Sequence, residues 1–85
     1  MDGVAAARSN SWDEAARQWK KALDLGPESA AAHNNLAVAY EKQGAFDEAR
    51  KEYEAALRLD PGNVTIKDNF EKFKARLATW RGRRP

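Results

Sequence analysis

An all-α fold of antiparallel helix-turn-helix units is predicted by three observations on this 85-residue chain. First, the chain repeats itself at a spacing of 34 residues: "WDEAARQWKKALDLGP" from Trp12 returns as "FDEARKEYEAALRLDP" from Phe46. Asp13-Glu14-Ala15 matches Asp47-Glu48-Ala49, Ala22-Leu23 matches Ala56-Leu57, Leu25 matches Leu59 and Pro27 matches Pro61. Trp12 meets Phe46 and Trp19 meets Tyr53, so bulk is kept where identity is lost. A fixed period of this size marks stacked supersecondary units. Second, apolar residues recur at steps of three and four, which places them on one face of a helix. Third, capping residues, a glycine and prolines fall at the ends of those stripes.

Five helices are expected, at roughly 2–9, 12–25, 28–42, 46–59 and 63–80. "DGVAAARS" reads as a short first helix closed by a turn at Asn10, since asparagine is second only to glycine in a left-handed conformation. Ser11 and Glu14 form an S-x-x-E capping box that should start the next helix, whose stripe is Trp12, Ala15, Trp19, Ala22 and Leu23. Pro27 should stop it, because proline supplies no amide and clashes with the preceding turn. The third helix shows Leu36, Ala39 and Tyr40 on its apolar face and Gly44 as its C-terminal stop. The fourth repeats the stripe as Phe46, Ala49, Tyr53, Ala56 and Leu57 before Pro61. The fifth, capped by Asn63, carries Ile66, Phe70, Phe73, Leu77 and Trp80.

Composition narrows the function. The chain has room for one small domain, and its 42% hydrophobic and 33% charged residues suit a helical globule rather than a disordered segment. It has no cysteine, so disulfides and thiolate metal sites are excluded and the redox compartment stays open. His33 stands alone and reads as structural or exposed rather than catalytic, so neither a metal nor a cofactor is expected. No apolar run approaches the ~20 residues of a membrane span and no targeting segment is visible, which leaves cytoplasm and periplasm both open.

The net charge is +2, with Lys74, Arg76, Arg81, Arg83 and Arg84 gathered at the end of the chain. A nucleic-acid domain would show a wider basic face, so residues 81–85 read as a disordered basic tail and no nucleic acid is expected. Asp13, Glu14, Asp47 and Glu48 sit in first turns, where the helix dipole favours them. Asp13–Arg17, Asp47–Lys51 and Glu54–Arg58 read as i,i+4 pairs of a solvated face. No catalytic constellation or phosphate loop is present in the sequence, so an enzyme is not expected.

The residues resemble the tetratricopeptide repeat family, whose unit is two antiparallel helices. Leu36, Ala37, Tyr40, Gly44, Phe46, Ala49, Tyr53, Ala56 and Pro61 fall at the family's signature places over Ala30–Asn63. His33 stands at the place usually held by tryptophan, and Ala37 at that of a small glycine. Trp12, Ala15, Trp19, Ala22 and Pro27 continue the pattern one repeat earlier, but there Asp2 takes the leucine place and Ala6 the tyrosine place. The resemblance implies a short right-handed α-α superhelix in a single domain spanning 1–80. It divides into a truncated repeat at 1–29, a complete repeat at 30–63 and a C-terminal capping helix at 63–80. Because Met1 falls inside a repeat unit, further sequence upstream is expected.

For function, the resemblance implies an adaptor or scaffold that binds a peptide or protein in the concave groove lined by the first helix of each repeat. The residues matched to that groove are Arg8, Asn34, Asn35, Val38, Lys42, Asp68, Asn69 and Lys72. Asn34, Asn35 and Asn69 can each bond either to a peptide backbone or to neighbouring helices. A subclass of the family grips the terminal carboxylate of heat-shock chaperones. Asn35 fits one of its places, but Val38 and Thr65 depart from it, and such a clamp is not expected. The alternative is self-association. The clipped first repeat should leave the helix bearing Trp19 partly uncovered, and Trp80 extends its stripe past the reach of helix 46–59, so both are candidates for a contact between copies.

Overall fold

The structure is a computed structural model; it describes the backbone of residues 2–26 and 28–83 and the side chains of 11–26 and 28–79. Four helices follow one another: α1 (Asp2–Leu25), α2 (Ala30–Gln43), α3 (Phe46–Leu59) and α4 (Val64–Arg83). Among the described residues there is no strand.

Three boundaries follow directly from local chemistry. The Ser29 hydroxyl accepts from the Ala32 amide at 3.1 Å and starts α2. Gly44, at φ 82°, ends it: its amide donates to the Glu41 carbonyl at 3.1 Å, and the Ala45 amide donates to the Tyr40 carbonyl at 2.9 Å. This paired closure needs a left-handed residue, and glycine takes that conformation most cheaply. Asn63 starts α4, its side-chain oxygen accepting from the Ile66 amide at 3.0 Å.

The N-terminal region departs from expectation. Instead of two helices with a turn at Asn10, α1 is one helix of 24 residues. Ser11 therefore lies inside a helix, and Glu14 accepts from Arg17 and Gln18 rather than closing a capping box. The physical reason is the composition of residues 2–9. Folding back at Asn10 would cost roughly 1–2 kcal/mol for the left-handed residue. The return would bring only Asp2 and Ala6 to the inward places, which offer little apolar area in compensation.

Packing is organised around α2. Successive helices are antiparallel: Asp13 of α1 accepts from Gln43, the last residue of α2. The helices α2 and α4 run parallel, because Asn34–Asn69 and Glu41–Arg76 are both contacts across 35 residues. Ala16 and Leu23 of α1 pack with Ala32, Leu36 and Ala39 of α2. On the other side Ala37, Ala49, Tyr53, Phe73 and Leu77 form a second cluster, with Phe46 and Phe70 against it. Its aromatic rings make the α3–α4 seam: Tyr53 lies 5.4 Å from both Phe70 and Phe73, centroid to centroid.

The buried stripe of α1 is rotated from the expected one. Leu23 is buried as expected, but so is Ala16, while Ala15 and Trp19 are half-buried and Trp12 and Ala22 are exposed. Among the described residues α1 packs on α2 alone, so only the side turned to α2 closes.

Candidate functional site

The face shared by α2 and α4 gathers most of the residues matched to a groove. Both helices present their polar residues there because their apolar stripes are committed to α1 and α3. Asn69 Nδ2 donates to Asn34 Oδ1 at 3.2 Å, and both side chains are half-buried. Beside this pair lies a small cleft of about 140 Å³ lined by Val38, Glu41, Lys42, Tyr53, Asn69, Lys72 and Arg76. Lys42 and Lys72 are exposed on its rim, and Lys72 Nζ lies 3.9 Å from Asp68. Asn35 is half-buried and makes no side-chain hydrogen bond to another described residue.

The floor of this cleft is a polar network that sequence reading missed. The Tyr53 hydroxyl donates to Glu41 Oε1 at 3.0 Å, and Arg76 donates to the other oxygen of the same carboxylate. Burial pushes the Tyr53 phenol well above its ordinary range, and the charge and hydrogen bond of Glu41 add to the effect. The network ties α2, α3 and α4 together at one carboxylate. Glu41 and Arg76 share the parallel register of Asn34 and Asn69, but the 34-residue period gives no sign of them, because their counterparts at that offset are Ala75 and Lys42.

Other candidates are placed elsewhere. Arg8 falls within α1, so it does not belong to a separate helix beside α2, and its side chain lies outside the described residues. Trp80 falls within α4 with its side chain likewise outside them. Trp19 packs half-buried against the α1–α2 cluster, and among the described large apolar residues of α1 the exposed ones are Trp12, at 37%, and Leu25, at 87%. His33 Nδ1–H donates to Glu52 Oε1 at 2.6 Å and joins α2 to α3. Two cations of the basic C-terminal segment are engaged, Arg76 with Glu41 and Lys74 with Glu71 at 3.0 Å, while Lys74 also stands 4.6 Å above the Phe70 ring.

Of the expected surface pairs, Asp13–Arg17 is replaced by Arg17–Glu14 at 2.6 Å, because Asp13 instead receives Gln43. That contact and the Gln18 amide hold the Glu14 carboxyl below its usual range. A larger open depression, about 520 Å³, runs along the charged surface of α1 alone, where no groups from different elements converge. Among the described residues no cluster of three His, Cys, Asp or Glu side chains is placed to hold a metal, and no helix is long and apolar enough to cross a membrane.

Antiparallel helix pairs with α2 and α4 parallel on one side and α3 behind them define a helical-repeat protein. The chain belongs to the tetratricopeptide repeat family: the sequence profile described as Tetratricopeptide repeat matches residues 1–64, three quarters of its length. That match ends at the first residue of α4. Among curated proteins no sequence matches the chain. Tetratricopeptide repeats are non-catalytic modules that generally mediate protein–protein interaction, and their partners are proteins.

Proposed function

We propose that this chain is a non-catalytic adaptor that takes an extended peptide or protein segment across the face of α2 and α4. Residues 30–63 serve as the complete repeat, 1–29 as a clipped one, and α4 as the capping helix. The outward Glu71 and Lys74 of α4 pair with each other, which suits a helix that ends an array.

The observation that carries the reading is the Asn69–Asn34 hydrogen bond. It consumes one donor of Asn69 and one acceptor lone pair of Asn34. An amide side chain has two donors and one oxygen with two lone pairs, so the Asn34 Nδ2 donors and the Asn69 Oδ1 acceptor remain. A donor and an acceptor held side by side match the carbonyl and amide of a passing peptide unit, whatever its sequence. Val38 supplies an apolar patch beside them, and Lys42 and Lys72 give the rim positive charge. A cleft of about 140 Å³ accommodates a side chain rather than a folded ligand.

The test is selection of binders from a random peptide library on the immobilised chain, followed by fluorescence-anisotropy titrations. Asn69→Ala and Asn35→Ala should each weaken the selected peptides about tenfold, the loss expected of one well-formed hydrogen bond to a buried partner. Circular dichroism should show unchanged helicity. Peptides whose affinity neither substitution alters would show that this face is not the binding surface.

A further inference from the structure

From the register between α1 and α3, we infer that the open side of α1 is a self-complementary dimer surface, filled by α1 of a second copy running antiparallel. This inference is independent of the peptide face on α2 and α4. The same sequence pattern is buried to different extents in the two helices. In α3, which lies between α2 and α4, Ala49 and Ala56 are both at 0% exposure. Their counterparts 34 residues earlier are Ala15, half-buried, and Ala22, exposed. The half-buried Glu52 corresponds to the exposed Gln18. A surface built to receive a helix is therefore present on α1 and uncovered among the described residues.

The residues along that surface identify its occupant. Ser11, Ala15, Gln18, Ala22 and Leu25 recur at steps of four and three, which is the spacing of a two-helix seam. Ser11, Ala15 and Ala22 are small enough to let two helix backbones approach closely. Trp12 and Trp19 border one side of the seam, and Glu14 and Lys21 border the other. In an antiparallel pair each border faces the same border of the other helix. Setting Ala15 opposite Gln18 of the second copy, and Ala22 opposite its Ser11, brings Glu14 to its Lys21 and Lys21 to its Glu14. The same register brings Trp12 beside Trp19 of the second copy, twice by symmetry.

A parallel arrangement would align like charges, Glu14 with Glu14 and Lys21 with Lys21. Self-complementarity under a two-fold axis is a property of homodimer interfaces and is not required of a surface for an unrelated helix. Within one chain Glu14 and Lys21 are seven residues apart along the helix, about 10 Å, so their complementarity has no intramolecular use. Trp12, at 37% exposure, becomes covered in this arrangement.

Charge exchange between the two positions tests the pairing. Sedimentation equilibrium from micromolar to millimolar concentration should show a reversible monomer–dimer equilibrium for the natural chain. Glu14→Lys alone and Lys21→Glu alone each place like charges opposite one another twice, and each should weaken dimerisation about tenfold or more. Both positions are exposed in the monomer, and the Arg17 and Gln18 contacts that Glu14→Lys removes are solvent-screened surface contacts, so thermal unfolding of the dilute variants should stay close to that of the natural chain. Mixing the two variants should restore association as a heterodimer, because every border pair is then opposite in sign. A natural chain that stays monomeric at millimolar concentration overturns the inference. So does a dimer that neither single substitution weakens, or a mixture that associates no better than its components.

Discussion

Gly44 is the only described residue with positive φ, and an added Cβ there would meet nothing within 4 Å. The cost of filling it is therefore conformational and not steric. Gly44→Ala should lower unfolding free energy by about 1 kcal/mol. Gly62→Ala, where φ is not positive and the space is equally open, should change it little. Urea titration of the two variants measures the difference, and equal midpoints would show that the left-handed cap is not limiting. Gly44 and Asn63 were legible as punctuation because each acts through its own backbone or nearest turn. Ser11 and Asn10 misled for the opposite reason. A capping box says where a helix is able to start, not that the preceding residues are unable to continue it. Residues 2–10 contain no proline, and the one glycine, Gly3, lies at the far end. Once the folded-back helix has little to bury, continuing the hydrogen-bonded ladder is the lower-energy course.

The contrast between α1 and α3 shows what periodicity encodes at the level of an element. Matching residues specify the same helix with the same potential faces, but burial depends on which neighbours are present. Ala56 is sealed between helices, whereas Ala22, its counterpart, is exposed. Ala56→Leu should therefore cost about 1–3 kcal/mol through overpacking. Ala22→Leu should stay within about 0.5 kcal/mol in dilute solution, since leucine and alanine are both strong helix formers. Thermal unfolding of the two variants decides it: similar losses would mean that the α1 face is covered in the monomer. The candidate site is legible to the same degree. By the 34-residue period Asn69 corresponds to Asn35 and Asn34 to Asp68, so the period brings the polar stretches of α2 and α4 near one another, while the bonded pair, Asn34 and Asn69, is offset from it by one residue. The Tyr53–Glu41–Arg76 network beneath them was not readable, because the period sets Glu41 against Ala75 and Arg76 against Lys42.

Across the whole molecule, stability is expected to be graded rather than uniform. The principal extents are 39 × 31 × 18 Å and the radius of gyration is 13.7 Å, above the ~12 Å expected for a compact globule of this length. Such a flat stack places each helix against its neighbours only, so an end helix opens without dismantling the rest. The two ends are unequal. At one end α4 is held by Phe70 and Phe73 against the Tyr53 ring and by Arg76 on Glu41; at the other, α1 contributes Ala16 and Leu23 to the buried core, with Trp19 at its edge. Native-state hydrogen exchange should find the amides of residues 12–25 opening at lower free energy than those of 46–59. The gap should be about 1–2 kcal/mol, the difference in apolar area that each helix keeps from water. If α1 pairs between copies, that gap should narrow as concentration rises, because association protects the helix that, among the described residues, packs on a single neighbour. Equal protection of α1 and α3 in dilute solution would mean instead that the four helices unfold as one cooperative unit, and that the face bearing Ala22 contributes to the stability of the isolated chain.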